Sequence, residues 1–190
     1  MLLSLIPSSI GLENQTEPDA DMALRIIGYD GAEYRAQLNE NNNGKRYPVV
    51  TLVLYFGLKK RWDKPLTLLD TLDVPDDFKP FVNDYKVNLF EIAYLSEEQV
   101  KLFQSDFKVV ADYFVQMRTT GTYVGNKENL VHVQETLSLL AVMTGDHRYE
   151  EVLQMAEESD GKEIKNMCDA RSIARVVGFE KLGRAQQALP

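Results

Sequence analysis

Tyr47-Pro-Val-Val-Thr-Leu-Val-Leu-Tyr-Phe56 is the clearest β-strand in the sequence. β-Branched and aromatic residues fill it almost without interruption, which is typical of a strand covered on both faces. A helix is predicted before it, from Asp19 or Asp21 to about Leu38, because either aspartate can cap a first turn and apolar residues then recur on one side. Further upstream, Ile10 to Gln15 has the pattern of a strand end. Strand, helix and buried strand in this order predict a βαβ unit, and therefore an α/β fold with a parallel pair of strands.

The composition is that of an ordinary folded protein. The chain has 190 residues, of which 44% are hydrophobic and 26% charged, enough for one domain with a sizeable core. Its net charge of −8 argues against binding to nucleic acid through overall charge, although a local basic patch can still bind phosphate. The single cysteine, Cys168, excludes an internal disulfide and a cysteine zinc cage.

No targeting or membrane-spanning segment is evident in the sequence. The apolar start, Met1 to Ile6, is cut by Pro7 and has no basic residue before it, unlike a signal peptide. No apolar run approaches the roughly 18 to 20 residues that cross a bilayer. A cytoplasmic protein without membrane contact is therefore predicted.

Polar side chains end the first predicted strand. Glu13 and Gln15 are two positions apart, so in a strand they point to the same side and converge. A carboxylate beside a second polar group at a strand end can form half of a Mg²⁺ site. Arg25, early on the predicted helix, is expected close to this strand end. The alternative is a polar loop after an edge strand, since short polar pairs also arise by chance.

A basic segment, Gly57-Leu-Lys-Lys-Arg-Trp62, follows the buried strand directly. Lys59, Lys60 and Arg61 together with Trp62 suit contacts to phosphate and stacking on a base. The alternative is a solvated loop whose lysines lay their stems on the surface. The sequence leaves both interpretations open.

The second half of the chain is predicted to be mostly helical. Before it, Tyr85 to Leu95 is predicted as a strand. Glu91 within this strand could be functional, but an outward-facing polar residue is the favoured interpretation. The spacing of a capping box marks Ser96-Glu-Glu-Gln99 as a helix start. Further helices are predicted to about Met117, over Glu128 to Met143, and over Arg148 to Glu158. His132 and His147 lack partners at ligand spacing and are interpreted as structural. The predicted parts are an α/β core over 1–95, a helical region over 96–158 and a poorly defined tail over 159–190.

Several stretches carry a resemblance to a known family. They are Gly11-Leu-Glu-Asn-Gln-Thr16, then Met22, Arg25, Tyr29 and Tyr34, residues 47–57 with Trp62, residues 82–92, Phe107 to Met117, and Asn166-Met-Cys168. Their order and spacing resemble the Rpn family of recombination-promoting nucleases, the YhgA-like transposases, which belong to the PD-(D/E)xK nuclease superfamily. The resemblance covers roughly residues 10 to 168.

The resemblance implies a DNA nuclease. It implies a restriction-endonuclease-like core, a mixed sheet flanked by helices, that hydrolyses DNA with Mg²⁺. In such a site Glu13 is a catalytic metal ligand and the carbonyl of Asn14 adds a second. Gln15 takes the position of the motif lysine, and it can orient water or phosphate only through hydrogen bonds.

One departure from the family pattern affects the expected activity. The superfamily carries a further aspartate ligand on the preceding strand, whereas residues 1–12 contain no acidic residue. The resemblance therefore implies an N-terminally truncated member, incomplete in its core, that cleaves DNA weakly or not at all. Two alternatives remain. One is a non-catalytic interaction protein, built on the 96–158 helices, that binds a full-length relative, another copy of itself or another partner. The other is a decayed gene product.

Overall fold

A computed structural model describes residues 9–39, 44–158 and 164–176. The chain forms two compact units, Met1–Ile92 and Ala93–Pro190, and each is described by itself. The apolar start of the sequence, Met1 to Ile6, lies outside the described residues, as do 159–163 and 177–190 of the predicted tail. The three-part division expected from the sequence stays a prediction.

The first unit contains the predicted βαβ arrangement. Its elements are β1 (Ser9–Gln15), α1 (Met22–Asn39), β2 (Val49–Tyr55) and β3 (Asn88–Glu91). The three strands form one sheet in the order β1-β2-β3, and both pairs are parallel. The α/β prediction is therefore confirmed. The described sheet is parallel throughout, where the resemblance implied a mixed sheet.

The register aligns the strand ends. Gln15 pairs with Tyr55, and Tyr55 pairs with Glu91, so the last residues of all three strands lie side by side. This side of the sheet is called the carboxyl edge below. In open α/β sheets ligands commonly bind beyond this edge, because loops and helix starts converge there.

The core of the unit lies between the sheet and α1. Met22, Ala23 and Ile26 of α1 are buried together with Val53 of β2. On the other face of the sheet burial is incomplete, and Leu12 is 63% exposed. The prediction that β2 is covered on both faces is thus wrong for the second face, where its residues are half-buried or exposed.

A buried polar group ties α1 to the sheet. Asp30, only 3% exposed, accepts hydrogen bonds from Thr51 Oγ1 at 2.5 Å and from Tyr85 Oη at 2.7 Å. Burial, and next the bond to Asp30, raise the pKa of Tyr85 to about 12. Both carboxylate oxygens are therefore satisfied, as a buried charge requires.

The connection from β2 to β3 is mostly irregular. It contains α2 (Leu68–Thr71) and a 3₁₀ helix, Asp76–Phe81. The predicted strand over 85–95 is shorter than expected. Lys86 forms an antiparallel bridge with Thr67, and a 3₁₀ helix begins at Ile92, so the chain pairs with β2 only over the residues between these points.

The second unit is helical, as predicted. It contains α3 (Glu97–Val100), α4 (Phe107–Thr120), α5 (Val133–Thr144), α6 (Arg148–Glu158) and α7 (Met167–Val176). The capping box at Ser96 and Gln99 is formed. No helix among the described residues is long and apolar enough to cross a membrane.

The start of α5 differs from its prediction at Glu128. The carboxylate of Asp106 accepts the backbone N–H groups of Val131, at 3.0 Å, and of His132, at 2.6 Å. These bonds hold the chain before the helix, so α5 begins at Val133. His132 therefore precedes the helix, where the sequence had placed it within one.

Candidate functional site

The structure brings Glu13 and Gln15 together at the end of β1. The side chains lie on the face of the strand that packs towards α1, and Gln15 Nε2 donates a hydrogen bond to Glu13 Oε1 at 2.7 Å. The alternation of a strand is the reason for this contact, because residues two apart share a face. The first polar pair of the predicted site is therefore formed.

Arg25 completes this arrangement from the first turns of α1. Its Nη2 donates to Glu13 Oε1, its Nη1 donates to Asp19 Oδ2 at 2.7 Å, and its Nε donates to Tyr29 Oη at 3.3 Å. The side chains of Arg25, Glu13 and Asp19 are 36%, 18% and 28% exposed. We call Glu13, Gln15, Asp19 and Arg25 the Arg25 cluster.

The electrostatics of the cluster follow from one guanidinium held by two carboxylates. The hydrogen bond from Arg25 lowers the pKa of Asp19, with a further contribution from the backbone N–H of Asp21. The bond to Asp19, followed by that to Tyr29, raises the pKa of Arg25. Two negative charges and one positive charge leave the cluster with a net negative charge.

The sequence did not predict a role for Asp19 beyond helix capping. Its Oδ1 accepts the backbone N–H of Asp21 at 2.9 Å, which turns the other oxygen towards the helix. Arg25 lies one turn into α1 and reaches back to it. The available signal was the six-residue spacing between an acid before a helix start and an arginine within that helix.

The predicted basic segment, residues 57–62 and called the basic loop, bends around Tyr55. Tyr55 Oη donates to the carbonyl oxygen of Lys60 at 2.9 Å. A Cβ placed on Gly57 would lie 2.0 Å from this same hydroxyl oxygen, so only glycine lets the backbone pass the buried ring. The loop therefore has a defined path at the carboxyl edge.

Glu91, at the end of β3, fixes the far end of the loop. Its Oε1 accepts the backbone N–H of Trp62 and its Oε2 accepts Arg61 Nη1, both at 2.9 Å. Glu91 is therefore a partner of the loop, which corrects the expectation of an outward-facing polar residue. This contact could not be predicted from the sequence, because the residues are far apart along the chain.

The side chains of the basic loop differ in how available they are. Lys60 pairs with Asp63 at 3.2 Å. Trp62 donates its Nε1 to the carbonyl oxygen of Lys64 at 3.0 Å and lies edge-on to Tyr55, with ring centroids 5.5 Å apart. Lys59 is exposed and has no ion-pair partner among the described residues. Among the three cations of the loop, Lys59 is thus the one whose charge no described carboxylate compensates.

One carboxylate oxygen of Glu13 and the carbonyl of Asn14 are the oxygen atoms to consider as ligands of a cation. Glu13 Oε2 accepts no hydrogen bond from a described residue. The carbonyl oxygen of Gln15 faces β2, where it accepts the Phe56 N–H at 2.8 Å. Because the carbonyls of successive residues in a strand point to opposite sides, the carbonyl of Asn14 points away from β2. No group of three His, Cys, Asp or Glu side chains suited to a metal occurs in the part of the chain described here. One or two carboxylates can hold Mg²⁺ when phosphate and water supply the remaining ligands.

Fold and site together define an α/β protein with a charged site at the carboxyl edge of a parallel sheet. The chain belongs to the YhgA-like transposase family, because the family model described as "Putative transposase, YhgA-like" matches residues 10–139, more than half of the chain. The matched range contains the Arg25 cluster, the basic loop and Glu91. Membership supports a transposase or nuclease type of function at the level of the family. No curated protein and no solved structure matches the chain.

Proposed function

We propose that the chain takes part in DNA recombination as a nuclease of the Rpn type, with a PD-(D/E)xK-like site at the carboxyl edge of its sheet. The observation that carries the proposal is the contact between Glu13 and Gln15 at the end of β1. This pair lies within the range matched by the transposase family. The reaction class is hydrolysis of a DNA phosphodiester.

Glu13 is the residue proposed to hold Mg²⁺, with the carbonyl of Asn14 as a second ligand. When bound, the ion would supply activation of a water molecule and compensation of charge on the phosphate. Gln15 fixes the carboxylate through its amide N–H and carries no charge of its own. It can therefore orient a water molecule or a phosphate oxygen, but it cannot replace the electrostatic contribution of a lysine.

Cleavage by this chain is proposed to be weak. Glu13 and Asp19, the two carboxylates of the cluster, both bind Arg25. A carboxylate already paired with a guanidinium attracts a second cation less strongly, because its charge is compensated. A substrate phosphate is then needed to complete the coordination of the ion.

DNA is proposed to lie along the basic loop. Lys59 is exposed there, and the anchored backbone holds it in place at small entropic cost. The net charge of the chain is −8, so the interaction is expected to weaken steeply as salt increases. Replacing Lys59 by Ala is expected to reduce binding to unrelated DNA sequences alike, because a phosphate contact carries no sequence information.

A nicking assay on supercoiled plasmid tests the proposed function. With Mg²⁺ at low salt, the chain is expected to nick slowly. Glu13→Ala is expected to reduce the rate by about 10- to 100-fold or more, because loss of a group that merely supports a metal ligand already costs this much. Glu17→Ala is the matched control, because Glu17 is an exposed carboxylate four residues along the chain. Equal rates for the wild type and Glu13→Ala would show that the site is wrongly assigned. Absence of any Mg²⁺-dependent nicking by the wild type would contradict the nuclease proposal.

A further inference from the structure

We infer that Arg25 is an exchangeable cation of the Glu13 site, which must leave this carboxylate before a divalent ion can bind there. The inference rests on the proposed function, since it assigns a regulating residue to the carboxylate that is proposed to hold Mg²⁺. It adds that the chain without a bound ion is in a closed state, in which Arg25 is hydrogen-bonded to Glu13.

The closed state follows from the bonds on Glu13. Oε1 accepts from both Arg25 Nη2 and Gln15 Nε2, so this oxygen has no room for a metal ion. An ion on the other oxygen would still lie beside the guanidinium. Two cations that share one carboxylate repel each other, most strongly in a half-buried site.

Arg25 has a second place to go when it leaves Glu13. Its Nη1 is bound to Asp19 at 2.7 Å, whereas its contacts to Tyr29 Oη, from Nε and Nη2, are long at 3.3 Å. Because the guanidinium is planar and rigid, it leaves Glu13 by giving up the contacts to Tyr29 and turning about the bond to Asp19. The released Nη2 can then donate to a DNA phosphate, for which the planar guanidinium is well suited. One exchange would thus place the metal ion on Glu13 and a phosphate on Arg25.

Binding of Mn²⁺ to the full chain without DNA tests this exchange, with the EPR signal of free Mn²⁺ as the readout. Arg25→Met removes the competing charge while keeping an apolar stem, and it is expected to bind Mn²⁺ about tenfold or more tightly than the wild type. The double variant Glu13→Ala/Arg25→Met is expected to lose this gain. Equal affinities for the wild type and Arg25→Met would overturn the inference. A gain that persists in the double variant would also overturn it, since the ion would then bind elsewhere.

Two further measurements keep the inference testable if Arg25→Met does not fold. Arg25→Lys retains a positive charge but lacks the forked guanidinium that binds both acids at once. Its affinity for Mn²⁺ is therefore expected to exceed that of the wild type, and to lie below that of Arg25→Met where that variant folds. In the wild type, the NMR signal of the Arg25 Nε–H group is expected to shift with the same midpoint as Mg²⁺ binding. An unchanged signal at saturating Mg²⁺ would overturn the exchange.

These outcomes are separable from failure of the proposed function. If the chain never nicks DNA but shows the expected Mn²⁺ affinities, the exchange at Arg25 is supported and the nuclease proposal is contradicted. If the chain nicks DNA through Glu13, but the wild type and Arg25→Met bind Mn²⁺ equally well, the nuclease proposal is supported and the exchange is contradicted.

Discussion

The carboxylate of Glu91 accepts the backbone N–H of Trp62 at 2.9 Å, although the two residues are 29 positions apart in the chain. This bond connects the end of β3 to the end of the basic loop. Together with the bond from Tyr55 Oη to the carbonyl oxygen of Lys60, it holds the backbone of the loop at two points, Lys60 and Trp62. The path of the loop therefore depends on two neighbouring strands of the sheet.

Removing this anchor is expected to destabilise the first unit. Glu91→Ala takes away the acceptor of the Trp62 N–H group, which costs about 1 to 3 kcal/mol when a partly buried donor loses its partner. Urea unfolding followed by fluorescence of Trp62, the single tryptophan of the chain, measures this loss. Glu91→Gln keeps an acceptor for the N–H group and is expected to cost less. An equal loss of stability in both variants would show that the ion pair of Glu91 with Arg61, rather than the hydrogen bond from Trp62, stabilises the unit.

Gly57 is expected to tolerate no side chain. In Gly57→Ala the new Cβ would meet the buried ring of Tyr55, 2.0 Å from Oη and 2.2 Å from Cζ. The ring must move and its bond to Lys60 is strained, at a cost of about 1 to 3 kcal/mol for overpacking.

Gly28→Ala is the matched control for this substitution. Nothing lies within 4 Å of a Cβ at Gly28, and alanine in a helix interior is favoured over glycine by up to about 1 kcal/mol. The control is therefore expected to raise the free energy of unfolding. A stability for Gly57→Ala equal to that of the wild type would contradict the close approach of the loop to Tyr55.

The buried Asp30 is expected to be a major contributor to the stability of the first unit. Asp30→Ala leaves the hydroxyl groups of the buried Thr51 and the partly buried Tyr85 without their acceptor, which costs about 2 to 6 kcal/mol for two unsatisfied donors. Tyr85→Phe removes one donor and leaves the bond from Thr51, so its loss is expected to be smaller. Urea unfolding of the three proteins gives the order. A larger loss for Tyr85→Phe than for Asp30→Ala would contradict this account.

The contact between Asp19 and Arg25 predicts a dependence of stability on pH. The pKa of Asp19 is lowered in the folded chain, so its contribution to stability is present above its unfolded pKa, about 3.9. The contribution is lost as the pH falls through the lower, folded value. The difference in unfolding free energy between wild type and Asp19→Asn is therefore expected at pH 6 and should vanish towards pH 2. A difference that stays constant over this range would show that the lowered pKa does not stabilise the fold.

Local patterns in the sequence determined most of the secondary structure. The alternation of Glu13 and Gln15 along one strand was sufficient to predict that they meet, because a strand repeats every two residues. The apolar run of β2 and the helix before it determined the parallel pair. The capping box at Ser96 determined a helix start, since its two hydrogen bonds lie within four consecutive residues.

Only the tertiary structure decided the partners of the charged residues. Arg25 binds Asp19 as well as Glu13, and Glu91 binds the Trp62 N–H group. It also placed the start of α5 at Val133, through Asp106. The physical reason is that periodicity and capping act within a few residues of the chain. An ion pair or a hydrogen bond to a distant backbone group depends on which segments folding brings together, and many acids in this sequence could have served equally well.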